Sequence, residues 1–316
     1  MRFAGARLAL AAAGLCFAGA ALAVNPGEVS ITAESVCHFR AIAAQHPDPK
    51  LRNADALADK LCPKVRMALP GDYADARRTI DNSGERYASY YYVNARTHYF
   101  DAAVARAAAE GATQVVVLGA GFDSRAYRFR ATYPQLRFFE VDLPATIAAK
   151  QQRVAAALGT LPDYVRYAPI DFNTQKLEEV LPALGYDAAQ KTLFLLEGVV
   201  MYVNAPGNEA TFRFMRRNAA PGSTVVYDYV LQRVIDGKFD GLWAAGSTAL
   251  TVEAIGEPYV TGWSRAGAAA YAKKHGFRVI EDLGARELTA RHLTGSDGKP
   301  DGRVVNWLRI IALRVP

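Results

Sequence analysis

Four apolar runs in this chain stop at residues that can do chemistry. QVVVLGAG, at 114–121, ends in Gly119-Ala120-Gly121. LRFFEVD ends in Glu140-Val141-Asp142, VRYAPID leads into Asp171-Phe172, and TLFLLEG ends in Glu197-Gly198. Two glycines around one residue let the backbone turn tightly and let a ligand approach main-chain atoms without a Cβ between. Asp142 lies about 20 residues beyond the glycines, the offset at which an acidic side chain accepts hydrogen bonds from ribose hydroxyls. Each feature alone has a plain structural reading. The glycines make a tight strand-to-helix turn, and an acid ahead of Leu143-Pro144 caps a helix. Carboxylates at three successive strand ends exceed what capping needs. Together they fit a ligand that carries hydroxyls and a positive charge.

The turn itself separates two such ligands. A dinucleotide fingerprint wants a third glycine, so that the next helix packs closely over a pyrophosphate. Here that position is Ser124, with Asp123 beside it. An aspartate in the turn repels a pyrophosphate and favours an amino group or a sulfonium, as in S-adenosylmethionine, which tilts the balance and leaves a dinucleotide open.

The elements that must hold these residues follow from the alternation of runs. After Gly111, strand-length runs rich in Val, Ile, Phe and Leu alternate with helix-length amphipathic segments at 143–158, 175–184 and 207–219. That pattern predicts a parallel sheet covered on both faces, with ligands bound outside the carboxyl ends of its strands. GFRVIED and VVNWLRIIALRV are joined by loop-like sequence without an obvious crossover helix, and pair more easily antiparallel. Residues 231–262, with Trp243 and most of GEPYVTGW, form a less regular insertion near the mouth of the sheet. From Ser30 to about Glu110 the chain is helical, with breaks at HPDP and LPGDY. The expected organisation is a signal peptide at 1–23, a helical cap at 24–110 and an α/β domain at 111–316.

Composition narrows the class. The chain has 316 residues, 51% hydrophobic and 22% charged, enough for a sizeable core. Its net charge of +6 is spread along the sequence with no lysine or arginine block, which argues against a nucleic-acid partner. Arg2 and Arg7 precede an uncharged run at 8–23 that ends Ala21-Leu22-Ala23, the three parts of a secretory signal. The run is shorter than the ~20 residues of a spanning helix, so no stable membrane span is expected after cleavage. Leu15 ahead of Cys16 makes a poor lipoprotein cleavage signal. The expected location is the bacterial periplasm; the alternative is an alanine-rich helix at the start of a cytoplasmic protein. Cleavage after Ala23 leaves Cys37 and Cys62, either bridged or two ordinary buried thiols.

VVVLGAGFDSRAYRF, FFEVDLPATIAAKQQRV, PIDF and LFLLEGVVMYV, in that order, resemble the successive motifs of the leucine carboxyl methyltransferase family. More closely they resemble its bacterial branch, known as "putative S-adenosylmethionine-dependent methyltransferases". The likeness extends upstream to RAIAAQHPDP and YVNARTHYFD and downstream to GEPYVTGW and GFRVIEDLG, nearly all of the chain after Ser30. It implies a Rossmann-like class I methyltransferase sheet, mostly parallel with an antiparallel C-terminal strand, under an N-terminal helical cap. It implies S-adenosyl-L-methionine as cofactor and no metal. Arg96 would pair with the carboxylate of the donor's methionine part, with Arg40 near it. Gly119 and Gly121 would line the methionine and ribose portion. Asp142 would hold the ribose hydroxyls, with Glu140 as the fallback. Asp171 would take the adenine amino group and Phe172 the ring edge. Glu197 would sit by the donor's amino group at the floor of the site, and Tyr202 would be wall. Glu197 and Tyr202 are the catalytic candidates.

Methyl transfer from a sulfonium is an in-line displacement, in which the protein aligns the groups and excludes water. His38, His46, His98, His275 and His292 all fall away from the strand ends. That favours an acceptor needing little deprotonation, a carboxylate above a hydroxyl, or a base supplied by a carboxylate or tyrosine. The Tyr90-Tyr91-Tyr92 run and GEPYVTGW are the expected walls for a small-molecule acceptor. Two other readings stand beside this one: a nicotinamide-dependent oxidoreductase, and a non-catalytic exported ligand-binding protein on the same fold. The oligomeric state is open.

Overall fold

The computed structural model describes residues 27–62, 69–172 and 174–316. The expected signal peptide lies outside them. Seven strands form one sheet: β1 (Gln114–Leu118), β2 (Arg137–Asp142), β3 (Val165–Pro169), β4 (Thr192–Leu196), β5 (Thr224–Val230), β6 (Arg278–Leu283) and β7 (Leu308–Arg314). Their order is β3-β2-β1-β4-β5-β7-β6. The first five are parallel, and β7 runs antiparallel to both β5 and β6. The order reverses between β1 and β4, which is where an open sheet leaves a crevice for a ligand.

Both faces are covered, which is why the strands read as unbroken apolar runs. On β1, Val115 and Val117 enter one core cluster, and Val116 and Leu118 the other. The first face carries α4 (Tyr90–Ala109) and α6 (Pro144–Leu158); the second carries α8 (Ala205–Arg217) and α11 (Arg265–Lys274). α4 packs against α1 (Ile31–Ala43) as well as against β4 and β5. One buried cluster therefore runs from Phe39 and Tyr90 through to Val115 and Leu193, joining cap and sheet.

Local signals set the boundaries. Asn204 accepts from the Gly207 N–H at 2.8 Å and starts α8 just ahead of Pro206, two residues before the expected start. The expected helix at 175–184 is split into single turns, α7 (Leu177–Val180) and a 3₁₀ turn at Pro182–Leu184, because Pro182 has no N–H to continue the α ladder. The link between the last two strands contains a helix after all, α12 (Ala285–His292). Their antiparallel pairing stands. The cap also holds α2 (Ala58–Leu61) and α3 (Tyr73–Asp81), and Cys37 and Cys62 form a disulfide that joins α1 to the end of α2. In the insertion, α9 (Gln232–Ile235) and α10 (Ala245–Ala254) precede a bridge between Leu231 and Trp263. Among the described residues, no helix is long and apolar enough to cross a membrane.

Candidate functional site

The turn after β1 is held open by its glycines. Gly119 has φ +68°, and a Cβ there would lie 2.3 Å from Cγ2 of Val199. Gly121 has φ +43°. Its N–H donates to Asp142 Oδ2 at 2.5 Å, while the Leu143 N–H donates to Oδ1 at 2.7 Å. Asp142 thus clamps the glycine turn to the start of α6. Burial raises its carboxyl above the ordinary value, and the two N–H bonds work against that rise.

Beside this turn lies a network of buried charges. Glu197, just past β4, accepts from Arg96 Nε at 3.0 Å and from Arg125 Nη1 at 2.6 Å. Burial opposes its ionisation, but the two guanidiniums outweigh it and hold the carboxyl below the usual range. Arg96 Nη1 also bonds Asp228 Oδ2 at 2.6 Å, and Asp228 Oδ1 accepts from the Gly198 N–H at 2.6 Å. Tyr92 donates to the same Asp228 at 3.1 Å. Arg125, at the start of α5 (Arg125–Arg128), also pairs with Asp101 at 2.7 Å and with Asp123. Burial works against ionising Asp123 too, but Arg125 and Lys150 hold its carboxyl well below the usual range. Arg40 pairs with Asp55 at 2.9 Å and donates to the Phe122 carbonyl at 2.6 Å. Buried charges persist only when paired and hydrogen-bonded, and these are.

Turn and network border a cavity of about 440 Å³ at the carboxyl end of the sheet, between the underside of α1 and one side of α10. Arg40, Arg96, Gly119, Gly121, Asp142, Asp171, Phe172, Glu197 and Tyr202 all line it. Every donor-site residue expected from the sequence is therefore brought to one place. The fallback Glu140 is not. It points into the same face of the sheet as Asp142 but two residues deeper, where it pairs with Lys150 at 2.8 Å and accepts from Tyr127 at 3.1 Å. Burial pushes it up to about 7 against the pull of Lys150.

The expected aromatic walls divide. Tyr92 and Tyr259 line the cavity. Tyr90 packs edge-on against Phe39 and Tyr91, and Tyr91 accepts from Arg77 at 2.9 Å, so these two serve the cap. Trp263 sits among Tyr227, Tyr229 and Tyr271 in the aromatic core. The ring of Tyr202 lies 5.4 Å from that of Tyr259. Burial raises Tyr202 well above the ordinary value and Tyr259 to about 12, so both hydroxyls are protonated at neutral pH. Among the described residues lining the cavity there is no histidine and no cysteine.

Sequence reasoning missed Asp228, Arg125, Asp55 and Glu257. Asp228 left one signal, a charge inside the apolar run STVVYDY. A carboxylate in a strand covered on both faces must have a buried partner.

A sheet ordered 3-2-1-4-5-7-6, with a cavity at the switch point, is a Rossmann-like α/β fold with the class I methyltransferase strand order. A crystal structure of a DUF574 family protein from Streptomyces avermitilis has this fold, with TM-score 0.56 and 16% identity over 88% of this chain and 97% of that one. Residues 33–216 match the leucine carboxyl methyltransferase family, and the chain belongs to it. A Mycolicibacterium gilvum protein described as "Putative S-adenosyl-L-methionine-dependent methyltransferase" is 30% identical over 285 residues, 87% of this chain and 83% of its own. A protein of the same description from a Parafrankia strain is 33% identical over 231 residues, 69% of this chain and 72% of its own. Membership sets aside the nicotinamide-dependent reading.

Proposed function

We propose that this methyltransferase moves a methyl group from S-adenosyl-L-methionine to an oxygen of a small-molecule acceptor, a carboxylate in preference to a hydroxyl, after export to the periplasm. The observation that carries the reading is the cavity, which joins a glycine turn and three strand-end acids to a wall of protonated tyrosines. The chain's residues fit the donor. Val199 packs where a Cβ on Gly119 would go, so only glycine makes this turn, and Gly119 lines the cavity. Asp142 has each oxygen fixed by one backbone N–H and keeps further lone pairs, which would accept from ribose hydroxyls. Asp171 and Phe172 take the adenine; Glu197 would take the donor's amino group, and Arg96, with Arg40 near it, the donor's carboxylate.

When bound, the donor supplies an electrophilic methyl on a sulfonium sulfur. The chain's part is to align the acceptor with that methyl and to keep water out. Tyr202 and Tyr259 hold their protons, so they donate hydrogen bonds to an acceptor oxygen and do not take a proton from it. A carboxylate acceptor suits such a wall, being ionised already. α1 lies over the cavity, which suits a small acceptor better than a folded protein. The Cys37–Cys62 disulfide and the N-terminal run support export, because disulfides persist in oxidising compartments.

The test is a calorimetric titration of the mature protein with S-adenosylmethionine, S-adenosylhomocysteine and NADH, followed by labelled-methyl turnover over carboxylic acids and alcohols. Binding of both sulfur ligands but not NADH, with label on an acid, is expected. Binding of neither sulfur ligand sinks the proposal. Tight binding with no turnover across the panel would make this a binding protein on a methyltransferase fold. Methyl transfer in a periplasmic extract tests the location, since an exported enzyme needs its donor on the same side of the membrane.

A further inference from the structure

GEPYVTGW follows α10, and the reaction as described gives its Glu257 no part. Glu257 is 4% exposed. Its Oε1 accepts from the Ile31 N–H at 2.7 Å, and its Oε2 from the Thr32 N–H at 3.0 Å and the Ser30 hydroxyl at 3.2 Å. Those are the first two N–H groups of α1, and Ser30 Oγ takes the third, from Ala33, at 3.1 Å. The free donors of the helix start are thereby satisfied, two of them by a carboxylate more than 200 positions away.

α1 is the roof of the donor cavity. Ile31, Thr32, Ala33, Val36, Phe39 and Arg40 face into it, and Ala33 lies 3.3 Å from where a Cβ on Gly121 would be. The two ends of the roof are fixed differently. Toward its C-terminus, Cys37 is bonded covalently to Cys62, and Arg40 is tied to Asp55 and to the Phe122 carbonyl. Its N-terminal end is fixed by Glu257, from the loop after α10.

We propose that Glu257 is a positioning residue for the methyl donor: it fastens the releasable end of the α1 roof over the donor cavity. A carboxylate at a helix N-terminus is favoured by the helix dipole, and its bonds to N–H groups are charge-assisted and shielded from water. Without it, Ile31, Thr32 and Ser30 lose their acceptor and the first turn of the roof frays, while the disulfide holds the rest of the helix. The donor then escapes faster. This inference rests on the donor reading above.

The experiment measures S-adenosylhomocysteine affinity and dissociation rate for wild type, Glu257→Ala, Glu257→Gln and a control, Glu253→Ala, which is exposed on the same stretch of chain. Glu257→Ala is expected to raise Kd about tenfold, about 1.4 kcal/mol, with nearly all of it in the dissociation rate. Glu257→Gln, which keeps one acceptor oxygen, falls between it and wild type, and Glu253→Ala matches wild type. Once an acceptor is in hand, the donor KM rises while kcat at saturating donor stays. A folded Glu257→Ala protein with a wild-type dissociation rate overturns the proposal; so does a wild-type rate in Glu257→Gln, should the alanine variant not fold. A loss of melting temperature and kcat with an unmoved dissociation rate also overturns it, as the mark of a merely structural residue. If wild type binds no S-adenosylhomocysteine, the donor reading has failed first, and no variant is needed to see it.

Discussion

Asp142 joins local structure to function in one side chain, since it holds the glycine turn and faces the cavity. Asp142→Ala is expected to weaken S-adenosylhomocysteine binding by about 1.5–3 kcal/mol, the worth of hydrogen bonds to a charged group. Asp142→Asn, which keeps one oxygen acceptor, recovers part of that loss. Calorimetry decides, and an unchanged affinity puts the ribose contact on another residue. Asp142, Asp171 and Glu197 were legible in the sequence because an apolar run that stops at an acid marks a strand end, and strand ends face the crevice. Their partners were not. Glu197 meets Arg125 across 72 positions and Arg96 across 101, and Arg96 meets Asp228 across 132. Spacing along the chain carries no trace of such pairs. Asp123 reads in the sequence as favouring the donor's positive charge; in the fold it lines the cavity and pairs with Arg125, a partner its position in the turn did not announce.

At the scale of elements, α1 owes its position to contacts outside itself. The Cys37–Cys62 bridge closes 25 positions and ties the roof to α2, which packs on α6. Replacing both cysteines by serine is expected to lower stability by about 2–4 kcal/mol in urea or thermal melts. Reduction of the wild type should reproduce that shift. A melt that ignores reduction would mean that the bridge does not form in solution. The strands and long helices were legible because each buries a regular face. α12 was not, and the reason is its thin apolar face: Leu288 is its one fully buried large side chain. Its start is set instead by Glu287, which accepts from the Gly284 N–H at 3.1 Å. That signal is too short to stand out in the sequence.

For the molecule as a whole, Glu140 links stability to pH. It is fully buried on β2, inside the sheet, and its carboxyl is raised from an ordinary 4.5 to about 7. Between those values the folded state binds the proton and the unfolded state does not, so stability falls as pH rises through that window. Glu140→Gln should flatten the slope, removing on the order of 2 kcal/mol of difference between urea melts at the two ends of the window. Equal slopes would mean that Lys150 keeps Glu140 ionised throughout. The strand order has a consequence of another kind. β6 joins the sheet through β7, which comes later in the chain than either of its neighbours. On the ribosome, β1 to β5 can pair as they emerge, but β6 waits without a partner and β5 keeps an open edge until β7 is made. A nascent chain left unfinished in this way keeps the edge of β5 open to wrong partners until its last strand is made.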